Sequence, residues 1–115
     1  MVVKMIDWMR VDELRHEIGD DGFAEVVDLF LDEVEEVVER LSASAALGRL
    51  EGDLHFLKGS AWNLGFAGFG TLCQAGEKRA AADSEVDIGP ILACYARSKA
   101  EFMAGLADRQ RPDAA

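Results

Sequence analysis

The chain has 115 residues, half of them hydrophobic, enough for one domain with a proper core and too few for two. It carries 12 Lys and Arg against 22 Asp and Glu, a net charge of −10. That balance excludes the basic surface that binding to nucleic acid or to an anionic membrane requires. No apolar run approaches the roughly 20 residues of a membrane span, and Met1 to Arg10 lacks a signal-peptide cleavage pattern. The expected location is therefore the cytoplasm, with Cys73 and Cys94 as buried reduced thiols, since they form neither a metal-binding pair nor a disulfide framework.

Hydrophobic periodicity predicts helices throughout and no strand. Asp7 is a candidate N-cap for a short first helix ending at Ile18, with Gly19 as its stop and Trp8, Val11, Leu14 and Ile18 inward. A second helix begins near Asp20 or Asp21, and Phe23, Val27, Phe30, Val34, Val37 and Leu41 form its seam. Its other face is acidic (Glu25, Asp28, Asp32, Glu35, Glu36, Glu39) and reads as solvated. Ser42 to Ser44 is a connection in which Ser44 can serve as the next N-cap. The third helix has a regular seam of Leu50, Leu54, Leu57, Ala61 and Leu64, weakened at its start by Gly48 and Gly52, and Gly65 closes it in a left-handed cap. A fourth helix spans about Ala67 to Ala82 with Phe69, Leu72, Cys73, Gly76 and Ala80 inward. After a polar loop, Asp83 to Asp87, a fifth runs from an Asp87 cap to about Ala107, with Pro90 tolerated in its first turn and Ile88, Ile91, Leu92, Tyr95, Phe102 and Leu106 inward. The fold class this predicts is all-α: an antiparallel up-down-up-down four-helix bundle with a short extra N-terminal helix capping one end. Residues 1–108 form the domain, and 109–115 are expected to be a disordered tail.

The third helix carries the chemistry. At about 100° per residue, His55 points about 140° away from the seam, Lys58 about 80°, Trp62 about 120° and Gly59 about 180°. A glycine inside a helix costs about 1 kcal/mol relative to alanine. On an outward face Gly59 fills no packing need, so it marks close approach of something external. Gly52 shares that face. Imidazole in general titrates at about 6.5, so much of it is neutral and nucleophilic at physiological pH. A phosphoryl group accepted there would be anionic, and Lys58 is placed to stabilise it. The chain has no Walker loop, metal cluster or general acid–base pair around this histidine, which points to a relay used by other proteins' active sites. His16, with no such context, reads as a plain surface residue, and Cys73 as core.

The segment His55-Phe56-Leu57-Lys58-Gly59-Ser60-Ala61-Trp62-Asn63-Leu64-Gly65 resembles the signature H-x-L-K-G-x-x-x-x-L-G of histidine-containing phosphotransfer (HPt) domains at every fixed position. Leu72, Cys73 and Glu77 also match the usual pattern of the following helix. The resemblance implies that His55 is the phosphoacceptor, that Lys58 stabilises the phosphohistidine, and that Gly59 lets a receiver domain approach. It further implies that Mg²⁺ and the reacting aspartate sit on that receiver, so the chain itself needs no cofactor. Two positions depart from the pattern. Trp62 stands where a small residue is usual, and it reads either as a docking anchor or as packed on a neighbouring helix. Gly76 stands where a leucine usually precedes the glutamate, which predicts looser packing there.

The function expected on these grounds is a phosphocarrier in a two-component phosphorelay, not an enzyme in its own right. Its partners would be response-regulator receiver domains and a hybrid histidine kinase, and it would act as a monomer. Partner-docking positions are Gly59, Gly52 and Trp62, and no metal site is expected. Two rivals use the same residues differently. A non-phosphorylated helical adaptor would dock receivers or kinases through this face without needing His55, and a metal-dependent helical-bundle enzyme would need ligands that two histidines on separate helices do not supply.

Overall fold

The computed structural model describes residues 4–44 and 47–110, which form four α-helices with no strand among them. Asp7 opens α1 (Trp8–Ala43), its carboxylate accepting the Arg10 amide at 3.3 Å. Where the sequence predicts a stop at Gly19, the backbone does leave helical dihedrals (φ 79°, ψ 167°), a conformation open to glycine alone. The helix resumes at once, so the predicted first and second helices are two arms of one kinked element. Ser44 closes α1 in an extended conformation with its N–H on the Arg40 carbonyl, and its expected role as the next N-cap falls against residues 45 and 46, outside the described residues. The next helix, α2 (Leu47–Leu64), begins early enough to include Gly48 and Gly52.

Gly65 has φ 100° and ends α2 as predicted, and α3 (Ala67–Ala81) follows after Phe66. A Cβ at Gly65 would also lie 2.8 Å from the Asp7 carbonyl oxygen, so both its conformation and its surroundings demand glycine. Asp87 caps α4 (Ile88–Gln110) by accepting the Gly89 amide at 3.2 Å. That helix extends past Ala107 to Gln110, so the beginning of the expected tail is helical, and 111–115 lie outside the described residues.

The predicted seams supply most of the core. Every seam residue of α2 and of the longer arm of α1 is buried, as are Phe69, Cys73, Ile91, Tyr95, Phe102 and Leu106. Ile18 and Leu72, expected inward, are 39% and 37% exposed. Ile18 stands next to the break at Gly19, and Leu72 lines an open surface pocket with Gly76, Val86 and Pro90. Gly76 is not loosely packed: a Cβ there would lie 3.0 Å from Leu54 Cδ1 and 3.2 Å from Ile91 Cδ1, so neighbouring side chains already occupy the space a leucine would fill. The acidic face of α1 is solvated except at Glu35, which accepts the Tyr95 hydroxyl at 2.8 Å and pairs with Lys99 at 2.5 Å. The Lys99 ammonium holds the Glu35 carboxyl below its usual range, and burial chiefly, with Glu35 adding, raises the Tyr95 hydroxyl. This tie joins α1 to α4 through a polar contact at the edge of the core.

Phe66, in the short α2–α3 connection, sits at the centre of the aromatic packing. It is fully buried, with its ring 4.8 Å from Phe30, 5.1 Å from Phe102 and 6.2 Å from Tyr95. The N-terminal arm of α1 closes over the same connection. The Asp7 amide donates to the Gly65 carbonyl at 2.7 Å, and Arg10 donates to the Asn63 carbonyl (2.9 Å) and side-chain oxygen (3.1 Å). Trp8 stacks on Phe102 at 5.9 Å and takes the Arg109 guanidinium over its ring at 4.4 Å. The C-terminal end of α2 is therefore fixed by backbone and side-chain bonds from α1.

Candidate functional site

With the α2 seam turned into the core, the opposite side of that helix faces solvent, and His55 stands on it with its side chain 69% exposed. Along the back of α2 the surface is bare: a Cβ at Gly52 or at Gly59 would meet no atom within 4 Å. Neither glycine is required by packing within the domain, although each carries the helix penalty of an interior glycine.

Across the groove between α2 and α3, Glu77 reaches both chemically relevant side chains. Its Oε2 lies 2.9 Å from His55 Nδ1, and its Oε1 lies 2.7 Å from Lys58 Nζ. The Lys58 contact is a charge pair without the alignment of a good hydrogen bond, and that buried oxygen has no hydrogen-bonding partner. Lys58 is accordingly not a free surface ammonium: it is only 19% exposed, and the Trp62 ring lies 6.0 Å from its Nζ.

The Lys58 ammonium holds the Glu77 carboxyl below its ordinary value, burial opposes that shift, and the His55 contact adds to it. An ionised carboxylate can only accept, so His55 Nδ1 donates in this contact, and in the neutral ring the lone pair is then on Nε2. Among the described residues Nε2 makes no hydrogen bond.

The depressed value of Glu77 has a thermodynamic consequence with a definite sign. A carboxyl whose folded pKa lies below its unfolded one contributes stability above the unfolded value, near 4.5, and loses it as pH falls through the folded value. Urea denaturation at a series of pH values should show Glu77→Gln losing less stability than the parent chain on acidification below about pH 4.5. Parallel acid limbs would mean that the pairing contributes nothing to the folded state.

Trp62 is packed on a neighbouring helix, the second of its sequence-based readings. One face of the indole lies directly on the α3 backbone at Gly70, where a methyl group would overlap the ring, and the residue is still 41% exposed. Gly70 carries no sequence signal of this role, because the contact depends on how α2 and α3 are juxtaposed. Glu77 is visible in the sequence as a family-like residue, but its reach to both His55 and Lys58 is likewise a tertiary fact. Phe56, 39% exposed beside His55, is a further apolar side chain on the solvent side of α2. Cys73 is fully buried beneath this region, and burial above all pushes its thiol up to about 12, which leaves it protonated at neutral pH. No group of three or more described His, Cys, Asp or Glu side chains is arranged to hold a metal ion.

The site is thus an exposed histidine on an all-helical bundle, one ring nitrogen paired with a half-buried carboxylate that also pairs with a lysine. A model of the Hpt domain family matches residues 25–101, more than half of the chain, which therefore belongs to the HPt domain family. No curated protein and no solved structure gave a significant match. At the level of the family, HPt domains are phosphocarriers of two-component phosphorelays, not classical enzymes, and they generally interact with receiver domains. No described helix is long and apolar enough to cross a membrane.

Proposed function

We propose that this chain carries a phosphoryl group on Nε2 of His55, exchanging it with the aspartate of a receiver domain. The observation that carries the reading is the pairing of Nδ1 with Glu77, which leaves the exposed Nε2 as the nucleophile. In the forward step the Nε2 lone pair attacks the phosphorus of the receiver's aspartyl phosphate. The P–O bond breaks, its electrons return to the aspartate carboxylate, and the Nδ1 proton stays where it is. Nothing on this chain needs to gain or lose a proton during the step, which suits a domain with no general base of its own. Mg²⁺ is expected on the receiver and not on this chain.

Lys58 stabilises the added charge from its place beside Glu77, and Gly59, Gly52 and Trp62 form the docking surface. The bare backbone at both glycines supports that assignment. The same reading extends to an antiparallel up-down arrangement, a monomer and a cytoplasmic setting. Short connections and a single closed core support the first two, and the two buried free thiols support the third. A hybrid histidine kinase is the proposed upstream partner.

The test is transfer from phosphorylated receiver domains, read by intact mass. One acid-labile phosphate should appear on the chain and be absent from His55→Gln. Receiver binding that is tight and unaltered in His55→Gln, with no phosphate transferred by any receiver tried, would replace this reading with the adaptor.

A further inference from the structure

On a chain whose net charge is −10, the surface strip that carries His55 is free of permanent charge. From Gly52 to Asn63 the exposed residues are Gly52, His55, Phe56, Gly59, Trp62 and Asn63. The two charged residues of that stretch, Asp53 and Lys58, are half-buried and paired with Arg40 and Glu77. Trp62 follows His55 by seven residues, which sets it about 10 Å along α2 and within about 20° of the same line. Gly59 lies between them and offers only backbone, so His55 and the indole bound a notch with a bare floor. The ring has no room to retreat toward α3, because it already lies on the backbone at Gly70.

We propose that Trp62 selects among receiver domains, admitting those that set an apolar side chain over Gly59 against the indole and rejecting those that bring a charged one. The inference rests on receivers docking over His55, and it adds a selection that the phosphocarrier reading does not contain. An apolar side chain in the notch leaves water for the indole and the bare backbone, the kind of contact in which aromatic residues anchor interfaces. A charged one would lose hydration with no unpaired counter-charge beside it among the described residues of the strip. A cation would also face the Lys58 ammonium, whose Nζ is 6.0 Å from the same ring, and an anion would find Lys58 already matched by Glu77. The selection therefore works by exclusion as much as by attraction. Trp62 departs from the HPt pattern, so this selection is separate from what the signature residues do.

Binding of unphosphorylated receivers tests this apart from phosphate transfer. A panel of receiver domains lacking tryptophan would be titrated by calorimetry against the parent chain and Trp62→Ala. Trp62→Ala should weaken the tightest receiver about tenfold or more and strengthen the weakest, so that the spread of affinities narrows. Lysine substitutions of the apolar residues around the aspartate of the tightest receiver, made one at a time, should include one whose loss of affinity is largely relieved in Trp62→Ala. In a Trp8→Phe background Trp62 is the single indole, and its emission should shift to the blue with the tight receivers. A merely structural role for Trp62 would weaken every receiver by the same factor, and that result, with helical content intact, overturns the proposal. An unchanged spread overturns it too, as does a Trp62 emission that stays put when a receiver binds tightly. Phosphate transfer is measured separately, relative to loading by the small phosphoryl donor phosphoramidate. Binding selectivity that depends on Trp62, with no phosphate transferred by any receiver, would keep this inference and sink the phosphocarrier reading. Transfer to His55 with the same receiver ranking in the parent and in Trp62→Ala would do the reverse.

Discussion

Gly59→Gln should yield a protein that is more stable than the parent chain yet nearly unable to exchange phosphate with a receiver. The stability gain follows from helix propensity, about 0.5–1 kcal/mol for replacing an exposed mid-helix glycine by a good helix former. Nothing within the domain opposes it, because a Cβ at this position meets no atom within 4 Å. The functional loss follows from the same open space. On the proposed docking surface a side chain there would hold the partner away, and a displacement of the reacting atoms by about 1 Å can cost on the order of a hundredfold in rate. The expected result is a transfer rate from phosphorylated receiver lowered about a hundredfold, with phosphorylation by phosphoramidate unaltered. Equal losses with both donors would mean that the substitution damages the histidine itself, and unimpaired receiver transfer would remove Gly59 from the docking surface.

The largest expected effect on stability belongs to Phe66→Ala. This side chain is fully buried against aromatic rings from α1 and α4, although it comes from neither helix. Truncating a buried phenylalanine costs about 3–5 kcal/mol, through lost transfer energy and the cavity left behind. For a small domain whose total stability is about 5–15 kcal/mol, that is a large share. Denaturant titration should show a matching fall in midpoint at similar slope, with Phe66→Leu recovering much of it. A cost below about 1 kcal/mol would mean that the surrounding rings collapse into the space and that Phe66 does not hold the bundle's end together.

The contrast between these two positions shows what sequence reasoning could and could not reach. Gly59 is legible because a helix has a fixed angular period, so a glycine opposite a leucine seam is anomalous on periodicity alone. Phe66 is silent because it falls between two periodic segments, where no repeat marks it as inward. The same limit appears at Gly19. The local signal for helix interruption is correct, but it does not say whether the chain turns away or continues in nearly the same helix. At the site, His55, Lys58 and Gly59 share one helix and one motif, so their association is local. The carboxylate that joins His55 to Lys58 lies 22 residues beyond the histidine on another helix. Its pairing depends on the rotation of α3 against α2, which single-chain periodicity does not specify. Periodicity therefore turns Lys58 toward solvent, whereas the fold engages it with Glu77.

The seat of Trp62 on Gly70 imposes an order on the substitutions by which such a surface could arise or be lost. An indole lies at that place only where residue 70 has no side chain, since a methyl group there would occupy the volume of the ring. Glycine at 70 must come first or arrive together with the tryptophan, and once the ring is seated, position 70 is no longer free to vary. Reverting 62 to a small residue releases both positions, whereas changing 70 alone evicts the ring. The two positions are therefore coupled in one order only: position 70 can change once position 62 is small, and not before.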